Sequence, residues 1–484
     1  MRGACVLGVA SEIYPLIKTG GLADVTGALA KALASEGVAV TTLIPGYPAV
    51  TGKITACETV FNEPQLFGGE AHVVRAVAAG LDLFVLVAPH LYNRPGGPYT
   101  GPDGREWPDN PFRFAALCRI AARLARGEIE GFAPDAVHAH DWQAGLTSAY
   151  LTYDGRRHPG TLFTIHNLAF QGQYPAHLLD ALGLPEPAFT IEGVEYYGMI
   201  GFLKAGIRLS DKITTVSPAY AAEICLPEHG MGLDGLLRAR SDVLSGIRNG
   251  IDETVWDPAT DPWLAAQYSI KSREKRRLNK AALQKHFQLD ADQDALLFGA
   301  VGRLTWQKGA DLILANLGVI AQSGAQLVVL GSGEAELEAQ FRMVQIAYPG
   351  RAAAMIGYDE RTAHMIQAGA DALLIPSRYE PCGLTQLCAM RYGTVPVAAR
   401  VGGLADTIVD ANEMALAIGS GTGIHFSPVT QSMLEIAIHR ALRLWSDTET
   451  WDRIRCNGMK TDVSWRSPAA AYAKLFREIA SAKA

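Results

Sequence analysis

Short apolar runs, each followed by a longer stretch of helical periodicity, recur along the whole chain, and this alternation limits what it can fold into. Candidate strands stand at Ala4–Ala10, Val38–Ile44, Leu81–Ala88, Ala136–His140, Thr161–His166 and Lys212–Val216. A second series follows at Leu296–Gly302, Gln326–Leu330, Ala352–Gly357, Ala372–Ile375 and Val395–Arg400. Most are near-continuous apolar runs, the pattern of parallel strands covered on both faces. Strands alternating with helices build βαβ units and hence doubly wound α/β sheets. At 484 residues the chain exceeds one hydrophobic core, so more than one domain is expected.

The best joint lies after Asn249-Gly250-Ile251-Asp252, where a Trp/Pro/Asp-rich passage interrupts the pattern. The expected domains are 1–252 and 253–463, with 464–484 as a C-terminal helix. Trp256–Trp263 is expected to be a hinge, and the basic run Lys271–Lys280 the start of a solvated helix. Tyr472, Leu475, Phe476 and Ile479 fall on one helical stripe.

The formal net charge of −6 excludes the basic face of a general nucleic-acid binder. It leaves room for a local cationic pocket. Seven cysteines without a CxxC pair form neither a disulfide framework nor a zinc site, which fits a reducing compartment. The apolar start is too short for a signal segment with a cleavage site, and no window reaches 18 uncharged apolar residues. A cytoplasmic enzyme with no membrane or nucleic-acid partner is expected.

Four clusters carry chemistry. Lys18-Thr19-Gly20-Gly21 sets a lysine ahead of a Gly-Gly helix start, which suits a phosphate or developing negative charge. It is neither a P-loop nor a dinucleotide fingerprint. Gly20–Asp24 (GGLAD) recurs as Gly402–Asp406, again after a candidate strand. Second, His138–Gln143 and Thr164–Asn167 stand at strand ends, where ligands bind in open α/β sheets. Asp141 and His166 could bond sugar hydroxyls there, and Trp142 offers a flat face. His138-Ala139-His140 lacks further ligands at metal spacing, so no metal site is expected.

Third, Gly302–Gly309 (GRLTWQKG) places Arg303 and Lys308 on one strand-to-helix loop, where two cations could converge on a diphosphate in place of a metal. Fourth, Arg378–Thr385 (RYEPCGLT) sets Glu380 before a turn, with the N–H groups of Gly383, Leu384 and Thr385 opening a helix toward an anion. Cys382 in that turn reads as a small space-filling residue, not a nucleophile. The patternless stretch Tyr92–Pro111 adds Tyr99 and Trp107 as possible sugar-stacking rings.

Taken together, KTGGLAD, HAHDW, IHNLAFQG, NGID, GRLTWQKG and SRYEPCGLTQ resemble the bacterial glycogen synthases and their plant starch synthase relatives, in order and over essentially the whole chain. The resemblance implies a GT-B fold, two Rossmann-like doubly wound domains facing each other across a deep cleft. It implies transfer of glucose from ADP-glucose to the non-reducing end of an α-1,4-glucan with retention, and no cofactor. By position it implies a catalytic set of Lys18, Asp141, His166, Arg303, Lys308 and Glu380. Glu12, Gly20, Gly21, Tyr99, Asn167, Tyr358, Cys382, Gly383, Leu384 and Thr385 are carried with them as substrate-binding, Tyr358 beside the adenine. Many retaining GT-B enzymes have a second glutamate eight residues after the first. Here Cys388 stands there, as glycogen synthases generally lack an acid at that point, so a ribose-binding carboxylate is not transferred. The alternatives are a glucan phosphorylase, a UDP-sugar transferase, a catalytically silent glucan-binding protein and, more distantly, a dehydrogenase.

Overall fold

The computed structural model describes residues 3–483, so the outermost ends of the expected first and last segments lie outside the described residues. Contacts divide the chain into two units. One comprises residues up to Asn249 together with those from Trp465 onward; the other is Gly250–Ser464. Gly250–Asp252 thus belong to the second unit, not the first. The reason is local: Ile251 donates its N–H to the Val463 carbonyl at 2.9 Å and packs with Leu387, Met390 and Val463.

The first unit is built on strands β1 (Ala4–Val9), β2 (Val38–Pro45), β3 (Cys57–Leu66), β4 (Gly69–Ala78), β5 (Leu81–Val87), β6 (Ala136–His140) and β7 (Gly160–Ile165). Three short strands, β8 (Gln173–Pro175), β9 (Glu195–Tyr196) and β10 (Met199–Gly201), form a small separate sheet. β11 (Lys212–Thr215) and β12 (Leu244–Gly246) complete the main sheet, whose order is β12-β11-β7-β6-β1-β2-β5-β4-β3. β3, β4 and β5 form an antiparallel meander; the other neighbours run parallel. Chain order reverses between β1 and β6, where Val9 is level with Ala139. The C-terminal helix Arg466–Lys483 buries Tyr472, Phe476 and Ile479 with Val6, Ala136 and Leu162 of this sheet.

The second unit carries β13 (Leu297–Val301), β14 (Gln326–Gly331), β15 (Ala352–Ile356), β16 (Ala372–Ile375), β17 (Val395–Ala399) and β18 (Ile424–Phe426). All are parallel, in the order β15-β14-β13-β16-β17-β18. Here the order reverses between β13 and β16. In doubly wound sheets such a reversal opens a crevice at the carboxyl ends of the two strands, because their connections leave to opposite faces. No described helix is long and apolar enough to cross a membrane.

Two stretches of this unit depart in part from the sequence expectation. Trp256–Trp263 is no loose hinge. The Trp256 ring stacks on His364 at 3.8 Å, and the buried Asp261 carboxylate accepts from His364 Nδ1 and the Tyr392 hydroxyl, each at 2.7 Å. Lys271–Lys280 is solvated on one face only: Lys271, Lys275 and Arg277 are exposed, while Arg276 and Lys280 are buried. Lys280 pairs with Asp371 at 2.7 Å and donates to the Gln293 and Ala295 carbonyls. A helix packed against a sheet on one side sends its inward cations to carboxylates and carbonyl oxygens, because a buried charge left unpaired costs several kcal/mol.

Candidate active site

In the first unit the candidate residues gather at the carboxyl ends of β1, β6 and β7. Glu12 follows β1 and is 2% exposed. Its carboxylate accepts the Thr19 and Gly20 N–H groups and the Tyr99 hydroxyl, and that hydroxyl lies 2.8 Å from Ser11 Oγ. The expected backbone anion site is therefore partly engaged by an internal acid. Lys18 pairs with Asp24 at 2.9 Å, and Gly21 opens the helix Gly21–Ser35. Burial raises the Glu12 carboxyl, while the Tyr99, Thr19 and Gly20 hydrogen bonds pull it back down. Tyr99 packs against Phe114 and braces Glu12, so its ring is anchored within the loop. Trp107 bonds the Gly97 carbonyl and lies under Arg94.

Asp141 follows β6 directly, in the left-handed region at φ 57°, a conformation that Asp tolerates better than most residues. Its Oδ1 accepts the His166 N–H at 2.7 Å and the Asn167 N–H at 3.4 Å, joining β6 to β7. Burial lifts this carboxyl to about 7, and the charge of Glu12 adds to the rise. Burial also lowers the His166 imidazole to about 3, which keeps it neutral near pH 7. The sequence reading missed what stands behind it. His140 Nδ1 lies 3.0 Å from His166 Nε2, and His138 Nε2 lies 2.7 Å from Thr164 Oγ1, which continues to Thr214. The only sequence signal was His-x-His on a strand, which puts both rings on one face. Trp142 is no sugar platform: it is buried among Phe114, Tyr174 and Phe202.

In the second unit the loops after β13 and β16 meet. Lys308 Nζ lies 2.5 Å from Glu380 Oε2, and Ser377 Oγ donates to the same oxygen at 2.9 Å. The expected diphosphate cation and the expected sugar-binding carboxylate are thus one ion pair. Arg303 donates to Gln307 Oε1 at 3.0 Å, and Gln307 reaches the Tyr379 carbonyl. Arg378 locks the two loops with a two-pronged bond to Asp311, 2.7 Å on each arm. Cys382 is buried, and the helix Thr385–Tyr392 begins just beyond Gly383 and Leu384. Gln386 folds back onto the Cys382 and Gly383 carbonyls and onto Thr407. Tyr358, on the loop after β15, exposes its ring at 65%.

The repeated GGLAD has a physical role here. Gly403 donates its N–H to the Glu380 carbonyl at 3.0 Å, and a Cβ on it would stand 2.3 Å from the Cys382 backbone. Gln307, Ser377 and Gln386 carried no sequence signal beyond lying in the motifs, and Asp311 lies just outside them. Among the described residues no three His, Cys, Asp or Glu side chains converge in a group that could hold a metal ion.

Two doubly wound units, each with its candidate residues at a sheet reversal, have the architecture of the GT-B glycosyltransferases. Residues 5–239 match the starch synthase catalytic domain family and residues 282–460 the glycosyl transferases group 1 family. The glycogen synthase of Methylocella silvestris is 65% identical over 479 residues, 99% of each chain. That of Rhodopseudomonas palustris strain BisA53 is 59% identical over 483 residues, covering 100% of this chain and 99% of the relative. The chain belongs to the glycogen synthase family. The catalytic domain of Arabidopsis thaliana starch synthase IV, solved bound to ADP and acarbose, superposes with a TM-score of 0.89 at 31% identity, covering 99% of this chain and 100% of that one. A sucrose-phosphate synthase from Thermosynechococcus elongatus, 17% identical with a TM-score of 0.60, shares the fold.

Proposed function

We propose that the chain transfers glucose from ADP-glucose to the non-reducing end of an α-1,4-glucan, retaining configuration and releasing ADP, in the cytoplasm. The observation that carries this reading is the Lys308–Glu380 pair, set beside Arg303 at the β13/β16 reversal in a chain of this family. Arg303 and Lys308 hold the diphosphate together with the helix start at Gly383–Thr385. Their charge counts most as the glycosidic bond breaks and negative charge gathers on phosphate. Glu380, already paired to Lys308, aligns that ammonium and accepts from a sugar hydroxyl. Tyr358 stacks on the adenine.

In the first unit Asp141 Oδ1 takes two backbone amides, which leaves Oδ2 for a sugar hydroxyl. Neutral His166 and Asn167 add polar contacts to the same sugar, while Lys18, Gly20, Gly21 and the Glu12–Tyr99 brace shape the loop beside it. No carboxylate of the second unit's cluster is placed as a lone nucleophile, because Glu380 is held by Lys308 and Ser377. Attack by the acceptor from the face that the phosphate leaves, with that phosphate taking the proton, is the route this arrangement favours. The test is Lys308→Ala. Turnover with ADP-glucose and glycogen should fall about 10²–10³-fold while glycogen binding, measured by cosedimentation, stays within twofold. Near-normal turnover would sink the assignment.

A further inference from the structure

Away from the strand ends that carry the site, the second unit holds a cavity of about 150 Å³ walled by Arg273, Arg276, Arg277, Lys280 and Arg455, with Glu274 and Asp371 as its acidic residues. This is where the basic run Lys271–Lys280 points its inner cations. Their pairing is incomplete. Arg273 is matched by Asp452 at 2.7 Å, while Lys280 and Arg455 share Asp371, at 2.7 and 3.7 Å. Five cations thus face three carboxylates, Glu274, Asp371 and Asp452, an excess of two positive charges.

Arg276 is 5% exposed and has no carboxylate partner among the described residues. Its terminal nitrogens bond the Tyr392 and Ala370 carbonyls, Thr394 Oγ1 and the Tyr268 hydroxyl. The buried Nε atoms of Arg276 and Arg455 have no hydrogen-bond partner among the described residues. Burial and the neighbouring charge of Arg276 push the Arg455 guanidinium down to about 10. Arg277 stands exposed at the mouth. A buried donor without an acceptor and a charge without a counter-charge are both costly, so such a wall is completed by an anion with several acceptor oxygens.

We propose that this cavity binds a phosphate group, as the free ion or as a small phosphate monoester. A phosphate dianion matches the two-charge excess, and its oxygens suit the unpaired Nε–H groups of Arg276 and Arg455 and the guanidinium of Arg277. The site is separate from the diphosphate loops after β13 and β16 and does not depend on the transfer reaction.

The test is thermal unfolding of the full chain in inorganic phosphate, in glycerol 3-phosphate and in chloride, at equal ionic strength. At tens of millimolar, phosphate should raise Tm by roughly 2–4 °C over chloride, as expected for a ligand well above a millimolar Kd. The larger of the two phosphate shifts identifies the preferred source. Arg277→Glu should abolish the shift while keeping the chloride Tm, because that side chain lies at the surface. Arg303→Ala should retain the shift, because it alters only the diphosphate loop. Equal Tm values in phosphate and chloride overturn the proposal. So does a shift that survives Arg277→Glu or disappears in Arg303→Ala.

Discussion

Asp141 shows how burial and function pull on one carboxyl. Its folded value of about 7 stands against about 3.9 in an unfolded chain. Between those values the folded state binds the extra proton, so ionising Asp141 works against folding and stability falls as pH rises through that window. The loss should be on the order of a few kcal/mol by pH 7.5, at about 1.4 kcal/mol per unit. Asp141→Asn removes this contribution. Urea midpoints of both proteins at about pH 4.5 and pH 7.5 check it: the stability of the variant relative to the parent should rise with pH. A constant difference across the two conditions contradicts the argument. His166 does not mimic the effect, because its depressed value acts below about pH 6.5 in the opposite sense, and it is present in both proteins.

The elements that hold the site make their own predictions. Gly403 is where the helix Gly402–Thr407 touches the glutamate loop, with no room for a Cβ against Cys382. Gly403→Ala must shift that backbone, and Glu380 with it. Since a displacement of about 1 Å can cost roughly 10²-fold in rate, kcat should drop by that order, and the forced backbone shift should lower stability by about 1–3 kcal/mol; kinetics and urea unfolding on one preparation check both. In the C-terminal helix, Phe476 is fully buried among the residues that cover the first sheet. Phe476→Ala should destabilise by about 3–5 kcal/mol, read as an earlier unfolding transition. The parallel strands were legible because each is buried on both faces and so is apolar throughout. β3 and β4 were not, because one face of each is largely exposed and Pro64 lies where the β3–β4 register shifts. Their turns, Phe67-Gly68 and Ala79-Gly80, pair two left-handed residues, with Phe and Ala where Asn or Gly is the usual signal. β12 and β18, three residues each, are too short to show a period.

Across the whole molecule, the motifs were legible as positions and not as contacts. GRLTWQKG and RYEPCGLT each announced a loop at a strand end, and β13 and β16 bring both to one sheet reversal. That Lys308 would pair with Glu380, 72 residues away, depends on strand order, which spacing along the chain does not encode. The same holds for the Lys271–Lys280 run, whose helical face could not be judged before its neighbour Asp371 was in place. Family and fold were carried by the motif series, while the donor nucleotide depends on a single exposed ring, Tyr358, and on resemblance. Glucosyl transfer from ADP-glucose to a glucan is the claim on which the rest depends. Side-by-side extension of glycogen by labelled ADP-glucose and UDP-glucose tests it most directly. Label should enter the glycogen from ADP-glucose, at a rate well above that from UDP-glucose. No incorporation from either donor, or a preference for UDP-glucose, would contradict the account.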